Sequence, residues 1–396
     1  MSKANEVAPC KTQKVLGAEL KIPMFRFELS NFALKAELSK IFDEFLESGS
    51  LILGRQVSEF EAEFAHYLGI DYAVGVANGT DAIELGLMAL GANRDSRIAT
   101  VANAGFYTSS AVVSIGATPL FMDISLDDGL VSYSEVDRLI RETPPDILVI
   151  THLFGQIVPD VERMVELAKN NGIKVLEDCA QAHGAKINGR MAGTFGDIAS
   201  FSHYPTKNLG ALGDGGSVVT ASRHLHEKVI RSRQYGWGSK YTVEEPGRNS
   251  RLDELQAGFL RSSLARLDEL NRRRISIAKE LEFGIAERDG IIQHVQRDWN
   301  GGFVAHLFVL KVKASLRASL ATHLKEHGVD SAIHYPIPDH LQPAMPSHAN
   351  LSLPNTEEWS KSVISLPLFP SMSTEEMQHV VESVNSWKPS DLGVQG

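Results

Sequence analysis

The sequence has few of the residues that mark secreted, metal-clustered or membrane-inserted proteins. Its 396 residues include two cysteines, Cys10 and Cys179, and no CxxC pair, so neither a disulfide framework nor a cysteine-ligated zinc site is expected. No uncharged apolar run reaches the roughly 18–20 residues of a membrane-spanning helix. The basic, polar residues 1–14 contain no apolar stretch of signal-peptide length. We therefore expect a cytoplasmic protein with no membrane partner.

Positive charge is also scarce. The chain carries 39 lysines and arginines against 49 aspartates and glutamates, a formal net charge of −10. Binding to a nucleic acid needs a broad basic surface that releases counterions, so no nucleic-acid partner is expected. With 43% hydrophobic and 22% charged residues, the composition is that of a globular protein, and the length predicts two or three domains.

Short apolar segments alternate with segments of helical period through the first part of the chain. Strands joined by connections long enough for a crossover helix are typical of a mostly parallel sheet covered on both faces, so we expect a large α/β domain. The predicted strands are 72–76, 97–101, 119–122, 147–150, 173–177, 199–202 and 217–220.

Three helices of this domain have signals of their own. Apolar residues from Leu34 to Leu46 recur at helical spacing. Ser58 and Glu61 have the spacing of a capping box, which predicts that a second helix begins at Ser58. A stripe of leucines predicts one long helix over 250–277.

The order of predicted strands and helices changes after the long helix. Strand and helix signals at 303–310, 314–326 and 374–387 surround a proline-rich stretch. The predicted organisation is a flexible arm over 1–20, a large domain over 21–270 and a smaller α+β domain over 271–396.

A first candidate site is the turn formed by Asn78, Gly79 and Thr80, which lies between a predicted strand and a helix. Free N–H groups at a helix start, beside a small glycine and a hydroxyl, can bind an anion such as phosphate. An ordinary turn with a helix cap has the same sequence. No G-x-G-x-x-G or P-loop pattern occurs, so neither kind of nucleotide site is indicated.

A second candidate follows the predicted strand 173–177. Asp178 comes directly after this strand and Gln181 lies three residues further on. Open α/β sheets bind ligands at the carboxyl ends of their strands, which places this carboxylate at a binding edge. Helix capping is the competing interpretation.

The third candidate, Lys207, is the most specific. A strand that ends at Ser202 leads to this lysine and then to a loop with four glycines. Most lysines are solvated surface charges, whereas an enclosed lysine can have a shifted pKa and act as a nucleophile. An anion site, a carboxylate at a strand end and an enclosed amine are the groups that pyridoxal 5′-phosphate (PLP) requires, so PLP is the predicted cofactor.

These residues lie in motifs that resemble those of a known family. The chain is similar to the sugar aminotransferases of the DegT/DnrJ/EryC1/StrS family from about Ile22 to the last predicted helix. The resemblance implies the fold-type I aminotransferase architecture, with a large PLP-binding domain and a smaller C-terminal domain. The motifs are LILG (51–54), ANGTDAI (77–83), GATPLFMDI (116–124), HLFGQ (152–156), EDCAQAHGA (177–185), SFSHYPTKNLGALGDGG (200–216), NSRLDELQA (249–257) and HYPIPDHLQPA (334–344).

The resemblance also implies catalytic roles. Lys207 is expected to hold the cofactor covalently and to move the proton of the reaction. Asp178 is expected at the pyridine nitrogen and Gln181 near the ring hydroxyl.

Phosphate contacts are implied for Gly79, Thr80 and Ser202. Asn249 is implied to make a further phosphate contact from the partner subunit of a homodimer with shared sites.

The ring face and the sugar pocket are less sharply indicated. Relatives often have a Pro-x-x-Thr-Phe type segment over the cofactor ring, and the ANAGFYTSS segment here offers Tyr107 or Phe106 instead. Three further residues, His183, His334 and Tyr335, are expected to line the sugar pocket, although ordinary hydrogen-bonded histidines fit the sequence equally well. The histidines lack the paired spacing of zinc ligands, so no metal is expected.

The implied activity is the PLP-dependent amination of a nucleotide-linked keto-sugar, with L-glutamate as amino donor. The segment KNLGALGDGG favours a dTDP-linked 3-keto-6-deoxyhexose. Amination of a 4-keto sugar, or a PLP-binding regulatory protein without turnover, are the alternatives. A dehydratase of the same scaffold would have histidine in place of Lys207, and a plain nucleotide-binding Rossmann protein would show no PLP absorbance.

Overall fold

The computed structural model describes residues 20–27 and 32–389. The predicted arm over 1–20 lies outside these residues except at Leu20, and Cys10 lies outside them too. The helices are α1 (Phe32–Ser48), α2 (Arg55–Leu68), α3 (Gly79–Ala89), α4 (Tyr107–Ser114), α5 (Tyr133–Glu142), α6 (Val161–Asn170), α7 (Arg223–Ser232), α8 (Glu254–Leu264), α9 (Leu267–Gly284), α10 (Arg317–Glu326), α11 (Pro354–Ser362) and α12 (Thr374–Ser386). The strands are β1 (Tyr72–Val76), β2 (Arg97–Val101), β3 (Thr118–Met122), β4 (Ile147–Thr151), β5 (Lys174–Asp178), β6 (Lys186–Ile187), β7 (Arg190–Met191), β8 (Ile198–Ser202), β9 (Gly216–Thr220), β10 (Trp237–Ser239), β11 (Thr242–Val243), β12 (Ile292–His294), β13 (Phe308–Val312) and β14 (Val363–Leu366).

All seven predicted strands are confirmed, and they form one seven-stranded sheet in the order β1-β9-β8-β5-β4-β2-β3. The pairs among β3, β2, β4, β5 and β8 are parallel, while β9 is antiparallel to both of its neighbours. The predicted α/β class is therefore confirmed.

The strand directions place four strand ends and the start of β9 at one edge of this sheet. The parallel strands β4, β5 and β8 end there at Thr151, Asp178 and Ser202. The reversed strand β9 begins there at Gly216, opposite the last residue of β1, Val76. Polar residues that follow or end these strands are consequently held close together.

Apolar side chains cover both faces of the sheet. Along β4, Ile147 and Val149 pack into the hydrophobic cluster on one face, and Leu148 and Ile150 pack into the cluster on the other. Alternate burial on two sides explains why the strands are almost wholly apolar.

A second core is built by the C-terminal part of the chain. The antiparallel strands β12, β13 and β14 pack with α9, α10 and α12 around Phe308, Phe369 and Trp387, and Ile22 from the start of the described chain joins them. The predicted division at residue 270 falls inside α9, and this division stays a prediction.

The predicted start of α2 at Ser58 is wrong by three residues. α2 begins directly after Gly54, which has no side chain with which to cap it. The carboxylate of Glu254 caps it instead, because Oε2 accepts the N–H of Gln56 at 3.0 Å and Oε1 that of Val57 at 2.8 Å. The capping group comes from a distant part of the chain, where no local spacing can reveal it.

The single helix predicted over 250–277 is also wrong, because the chain breaks between α8 and α9. Leu264 and Leu267, on the two sides of the break, pack in the large core, whereas Ile277 further along α9 packs in the second core. The break turns the chain from one core to the other. Leucines are needed on both sides of it, so their repeat gives no sign of the interruption.

Helix α1 confirms the first predicted helix, but its apolar stripe is incompletely covered. Phe42 is 44% exposed and Leu46 is 59% exposed. Among the described residues, no helix combines the length and apolarity that a membrane crossing requires.

We expect Glu254→Ala to lower the free energy of unfolding by about 1–3 kcal/mol, since two N–H groups at the start of α2 lose their acceptor. Glu254→Gln keeps one acceptor oxygen and should lose less. Urea unfolding measures both variants. Glu227→Ala is the control, because Glu227 forms an exposed i,i+4 pair with Arg223 on α7 and should change stability little. Equal losses in Glu254→Ala and the control would contradict the capping role.

Candidate active site

The edge of the sheet where these strands meet opens into a cavity of about 640 Å³. This volume lies in the range of small-molecule binding sites. Nine of the residues predicted from the sequence line it, namely Gly79, Thr80, Tyr107, Asp178, Gln181, Ser202, Lys207, His334 and Tyr335. Groups predicted from separate segments therefore share one cavity.

One wall of the cavity is the start of α3. Asn78 caps this helix, because its Oδ1 accepts the N–H of Asp81 at 2.8 Å. Gly79 and Thr80 are the first helical residues, and their N–H groups have no partner within the helix. A Cβ on Gly79 would lie 2.5 Å from Cβ of Ser202, so only glycine lets that serine approach the helix start. The turn thus serves as a helix cap and also presents N–H and hydroxyl groups suited to an anion.

Asp178 ends β5 and is buried. Its Oδ1 accepts the N–H of Ala180 at 3.1 Å, and its Oδ2 accepts the hydroxyl of Thr108 at 3.3 Å. Burial raises the pKa of this carboxyl, although the Ala180 N–H and the charge of Lys207 oppose the rise. No helix follows until α7, so the competing helix-cap interpretation does not apply here.

Lys207 lies in the tight turn after β8. Its backbone N–H donates to the carbonyl of Tyr204 at 2.8 Å, and its side chain lines the cavity. Burial lowers the pKa of the amine to about 8, although the charge of Asp178 opposes this shift. About half of the amine is therefore in its neutral, nucleophilic form near pH 8.

The structure separates the two aromatic candidates for the ring face. Tyr107 begins α4, lines the cavity and is 51% exposed. Phe106 packs instead on a small buried cluster around Phe121. Tyr335 meets the Tyr107 ring edge-to-face, with 6.1 Å between the ring centroids. An aromatic face beside the cavity is thus supplied by Tyr107.

These residues fit PLP in each of its parts. The start of α3 and Ser202 suit its phosphate, the buried Asp178 suits a protonated ring nitrogen, and the amine of Lys207 suits its aldehyde. The glycine at 79 leaves room that any other residue would fill.

Comparison with known proteins agrees with this geometry. The model of the DegT/DnrJ/EryC1/StrS aminotransferase family matches residues 33–385. The chain belongs to this family. The predictions that it is an aminotransferase of this family and that PLP is its cofactor are confirmed.

Three relatives of this aminotransferase are informative. It is 40% identical over 359 residues to a dTDP-3-amino-3,4,6-trideoxy-alpha-D-glucose transaminase of Micromonospora megalomicea subsp. nigra, covering 88% of this chain and 94% of the relative. The crystal structure of S. venezuelae DesV in complex with a ketimine intermediate superposes with a TM-score of 0.88 at 37% identity, covering 93% of this chain and 98% of that one. NtdA from Bacillus subtilis, with the cofactor PMP bound, superposes with a TM-score of 0.86 at 29% identity, covering 94% and 86%.

Two predicted site residues of the aminotransferase lie away from the cavity lining. His183 is fully buried, with its ring 5.3 Å from that of Phe201 and 5.6 Å from that of His203, centroid to centroid. Asn249 is exposed and pairs by an isolated bridge with Gln234. Their predicted roles at the sugar and at the partner's phosphate stay predictions.

His306 lines the cavity but was not indicated by the sequence. Its Nδ1 lies 3.1 Å from Oδ1 of Asn208, whose Nδ2 donates to Asn271 and to the carbonyl of Val304. The Asn208 oxygen must therefore accept, so Nδ1 of His306 carries the proton and Nε2 is an acceptor. Burial, followed by the charge of Lys207, lowers the pKa of this histidine well below its usual value. A histidine between apolar residues in a strand-like segment resembles an ordinary core residue, which is why no signal set it apart.

The start of the described chain forms another wall that the sequence did not reveal. Met24 and Phe25 line the cavity. The next residue, Arg26, donates to both carboxylate oxygens of Glu376 in α12, at 2.5 and 3.2 Å. This segment has no periodic pattern, and it is fixed by distant contacts such as the Glu376 carboxylate and the backbone bonds of Ile22 with Gly328 and Asp330.

Three buried side chains next to Asp178 have the spacing of a metal centre. The ligand atoms of His152, Glu177 and Cys179 lie within 4.8 Å of one another. However, His152 Nδ1 accepts the N–H of Val158 at 3.0 Å, so its Nε2–H donates to Glu177 at 2.9 Å. Glu177 also accepts the backbone N–H groups of Gly193, Phe195 and Gly196. These bonds occupy the ligand atoms of His152 and Glu177, and they act as a structural clamp beside Asp178.

We expect Lys207 of the apoprotein to become acetylated by acetic anhydride with a midpoint near pH 8, because only the neutral amine reacts and burial lowers its pKa to about 8. Peptide mass spectrometry across a pH series measures the midpoint, with the exposed Lys325 as reference. Asp178→Asn removes the charge that favours the ammonium form, so it should move the midpoint to still lower pH. A midpoint near pH 10 would contradict the buried setting of this amine.

Proposed function

We propose that this aminotransferase moves an amino group from L-glutamate to the 3-keto carbon of a dTDP-linked 6-deoxyhexose. The observation that carries the proposal is the pairing of a buried amine, Lys207, with a buried carboxyl, Asp178, in a cavity that also contains a helix start suited to phosphate.

Each part of PLP has a proposed partner in the cavity. The N–H groups of Gly79 and Thr80 and the hydroxyl of Ser202 would hold its phosphate. The carboxylate of Asp178 would accept the ring N–H, and a charged bond of this kind is roughly twice as strong as a neutral one. The Tyr107 ring would cover one face.

Gln181 would lie at the ring hydroxyl. Its Oε1 accepts the N–H of Phe154 at 2.6 Å and its Nε2 donates to the hydroxyl of Tyr335 at 3.2 Å. These two bonds fix the orientation of the amide, and its second N–H is the group available to the cofactor.

When bound, PLP supplies a carbonyl that takes up the amino group and a ring that withdraws electrons from the reacting carbon. Lys207 would hold the cofactor in the resting enzyme. With a pKa of about 8, its Nζ is neutral often enough to take a proton from Cα of the donor and acidic enough to return it. The imidazoles of His306, His183 and His334 add no further positive charge, because burial lowers the pKa of each.

Support for the substrate comes from the relatives. The Micromonospora relative is named a dTDP-3-amino sugar transaminase, and it covers most of this chain. The KNLGALGDGG segment of this chain resembles enzymes that aminate C3. A 4-keto sugar is the alternative acceptor, and glutamate as donor is carried over from the family.

We also propose a homodimer with shared sites. Four apolar residues near α1 are each at least 42% exposed, namely Phe42, Leu46, Leu51 and Ile52. Phe42 shares a groove with Leu212, which lies in the glycine-rich loop after Lys207. Exposed apolar surface of this kind marks a protein contact, and a two-fold contact would bring the exposed Asn249 of each chain to its partner.

The proposed activity predicts two separable half-reactions. L-glutamate alone should convert the bound cofactor to its aminated form, and a dTDP-3-keto-6-deoxyhexose should reverse the spectral change and yield an amino sugar by mass spectrometry. Lys207→Ala should slow both halves about 10²–10⁴-fold, whereas Lys325→Ala should leave them unchanged. Faster amination of a 4-keto sugar would favour the alternative acceptor. Failure with every amino donor would favour a regulatory protein without turnover.

Shared sites predict complementation. Lys207→Ala and Asn249→Ala chains, each impaired alone, should recover activity when mixed, because one site of a mixed dimer combines an intact lysine with an intact asparagine. With random exchange about half the dimers are mixed, so about a quarter of wild-type activity is the ceiling. Sedimentation establishes the oligomeric state. An active monomer, or no recovery despite proven subunit exchange, would place Asn249 in its own chain's site.

A further inference from the structure

Helix α4 carries Tyr107 into the site, yet its own sequence supplies no cap. Its N-cap residue, Phe106, has a left-handed backbone with φ of 71° and no side-chain cap, and the first turn contains no acidic residue. Gly105 before it also has a positive φ of 81°, and a Cβ there would lie 2.8 Å from the ring of Tyr335. A non-glycine residue in the left-handed region persists only where its surroundings fix it.

The group that fixes this turn is Asp339, from the proline-rich stretch of the C-terminal segment. Its Oδ1 accepts the N–H of Phe106 at 2.9 Å and its Oδ2 accepts the hydroxyl of Ser109 at 2.5 Å. Its own N–H donates to the carbonyl of Ala102 at 2.7 Å. The side chain is only 1% exposed. Asp339 thus accepts the N–H of the N-cap residue of α4, as the glutamate of a capping box does within its own helix.

The two residues between these contacts are the ones that face the site. Tyr107 lines the cavity, and the hydroxyl of Thr108 donates to Oδ2 of Asp178 at 3.3 Å. Asp339 holds the residue on each side of this pair and does not itself line the cavity.

We propose that Asp339 is a positioning residue of the aminotransferase, which clamps the first turn of α4 and so keeps Tyr107 beside the cofactor ring and Thr108 on Asp178. The inference rests on the proposed roles of Tyr107 and Asp178. The hydrogen bonds of the clamp, however, join protein groups only and are present without the cofactor. The two can therefore be tested apart.

The clamp depends on a hydrogen bond at each of the two carboxylate oxygen positions rather than on full charge. Burial raises the pKa of Asp339 to about 7, although the bonds from Ser109 and from the Phe106 N–H oppose the rise. Asparagine has the shape of the protonated carboxyl, keeps an oxygen for the Phe106 N–H, and can donate from Nδ2 to the Ser109 hydroxyl oxygen. Asp339→Asn should consequently preserve most of the clamp, and Asp339→Ala should abolish it.

Asp123 offers a matched control. At the end of β3, its carboxylate caps α11 from outside, accepting the N–H groups of Asn355 at 3.1 Å and Thr356 at 2.8 Å. No residue of α11 lines the cavity. Asp123→Ala therefore removes a helix cap of the same kind without removing a hydrogen bond to the first turn of α4.

The first measurement is hydrogen exchange of the apoprotein over 105–112. Asp339→Ala should speed exchange there at least about tenfold, in line with the loss of a cap and of two buried hydrogen bonds, and Asp339→Asn should restore protection. Asp123→Ala should speed exchange in α11 and leave 105–112 as in the wild type. Unchanged exchange at 105–112 in Asp339→Ala, or equal loss in both Asp339 variants, would overturn the clamp.

The second measurement is PLP affinity, with the circular dichroism of the bound cofactor as a spectroscopic readout. Asp339→Ala should weaken PLP binding about tenfold and change the cofactor band, while Asp339→Asn and Asp123→Ala should stay close to wild type. If exchange rises but affinity and band are unchanged, the clamp does not position the ring neighbours and the proposal fails.

Should Asp339→Ala not fold, Ser109→Ala removes one of the two donors and tests the same turn. It should shift exchange and the cofactor band in the same direction by a smaller factor. No change in either would overturn the proposal.

Discussion

The site depends on holding one carboxyl and one amine out of water in the same cavity. Burial raises the pKa of Asp178 and lowers that of Lys207, so each is pushed towards its neutral form. The charge of each group opposes the pKa shift of the other, so both pKa values depend on any molecule that binds between them. A cofactor that offers a ring nitrogen to Asp178 and a carbonyl to Lys207 would give each buried group a partner and offset the cost of removing both from water.

Carboxylates from distant segments fix several helix starts in this fold. Glu254 caps α2, Asp339 caps α4 and Asp123 caps α11, and none of these helices has a side-chain cap from its own N-cap residue. A local cap stabilises a helix wherever the helix lies, whereas a distant one also fixes its position against another element. Among these helices, α4 forms a wall of the cavity, and the start of this wall is fixed in this way.

The distinction between local and distant interactions also explains how much the sequence could predict. The seven strands are bounded by turn residues and have continuous apolar runs, so local pattern was enough to place each within one residue. Lys207 and Asp178 stood out because each follows such a strand. His306 gave no comparable signal, because its ring is oriented by Asn208, which lies 98 positions earlier in the chain. The start of α2 escaped prediction for the same reason.

The contact between Arg26 and Glu376 has a consequence for synthesis. Arg26 holds the segment whose Met24 and Phe25 line the cavity, and its carboxylate partner lies in the last helix. A ribosome makes Arg26 long before Glu376, which lies 350 positions further along the chain. The large sheet has all its strands long before that moment, since β9 ends at Thr220. The nascent chain therefore carries Lys207 and Asp178 before this wall has its ion pair, which forms only when α12 has been translated.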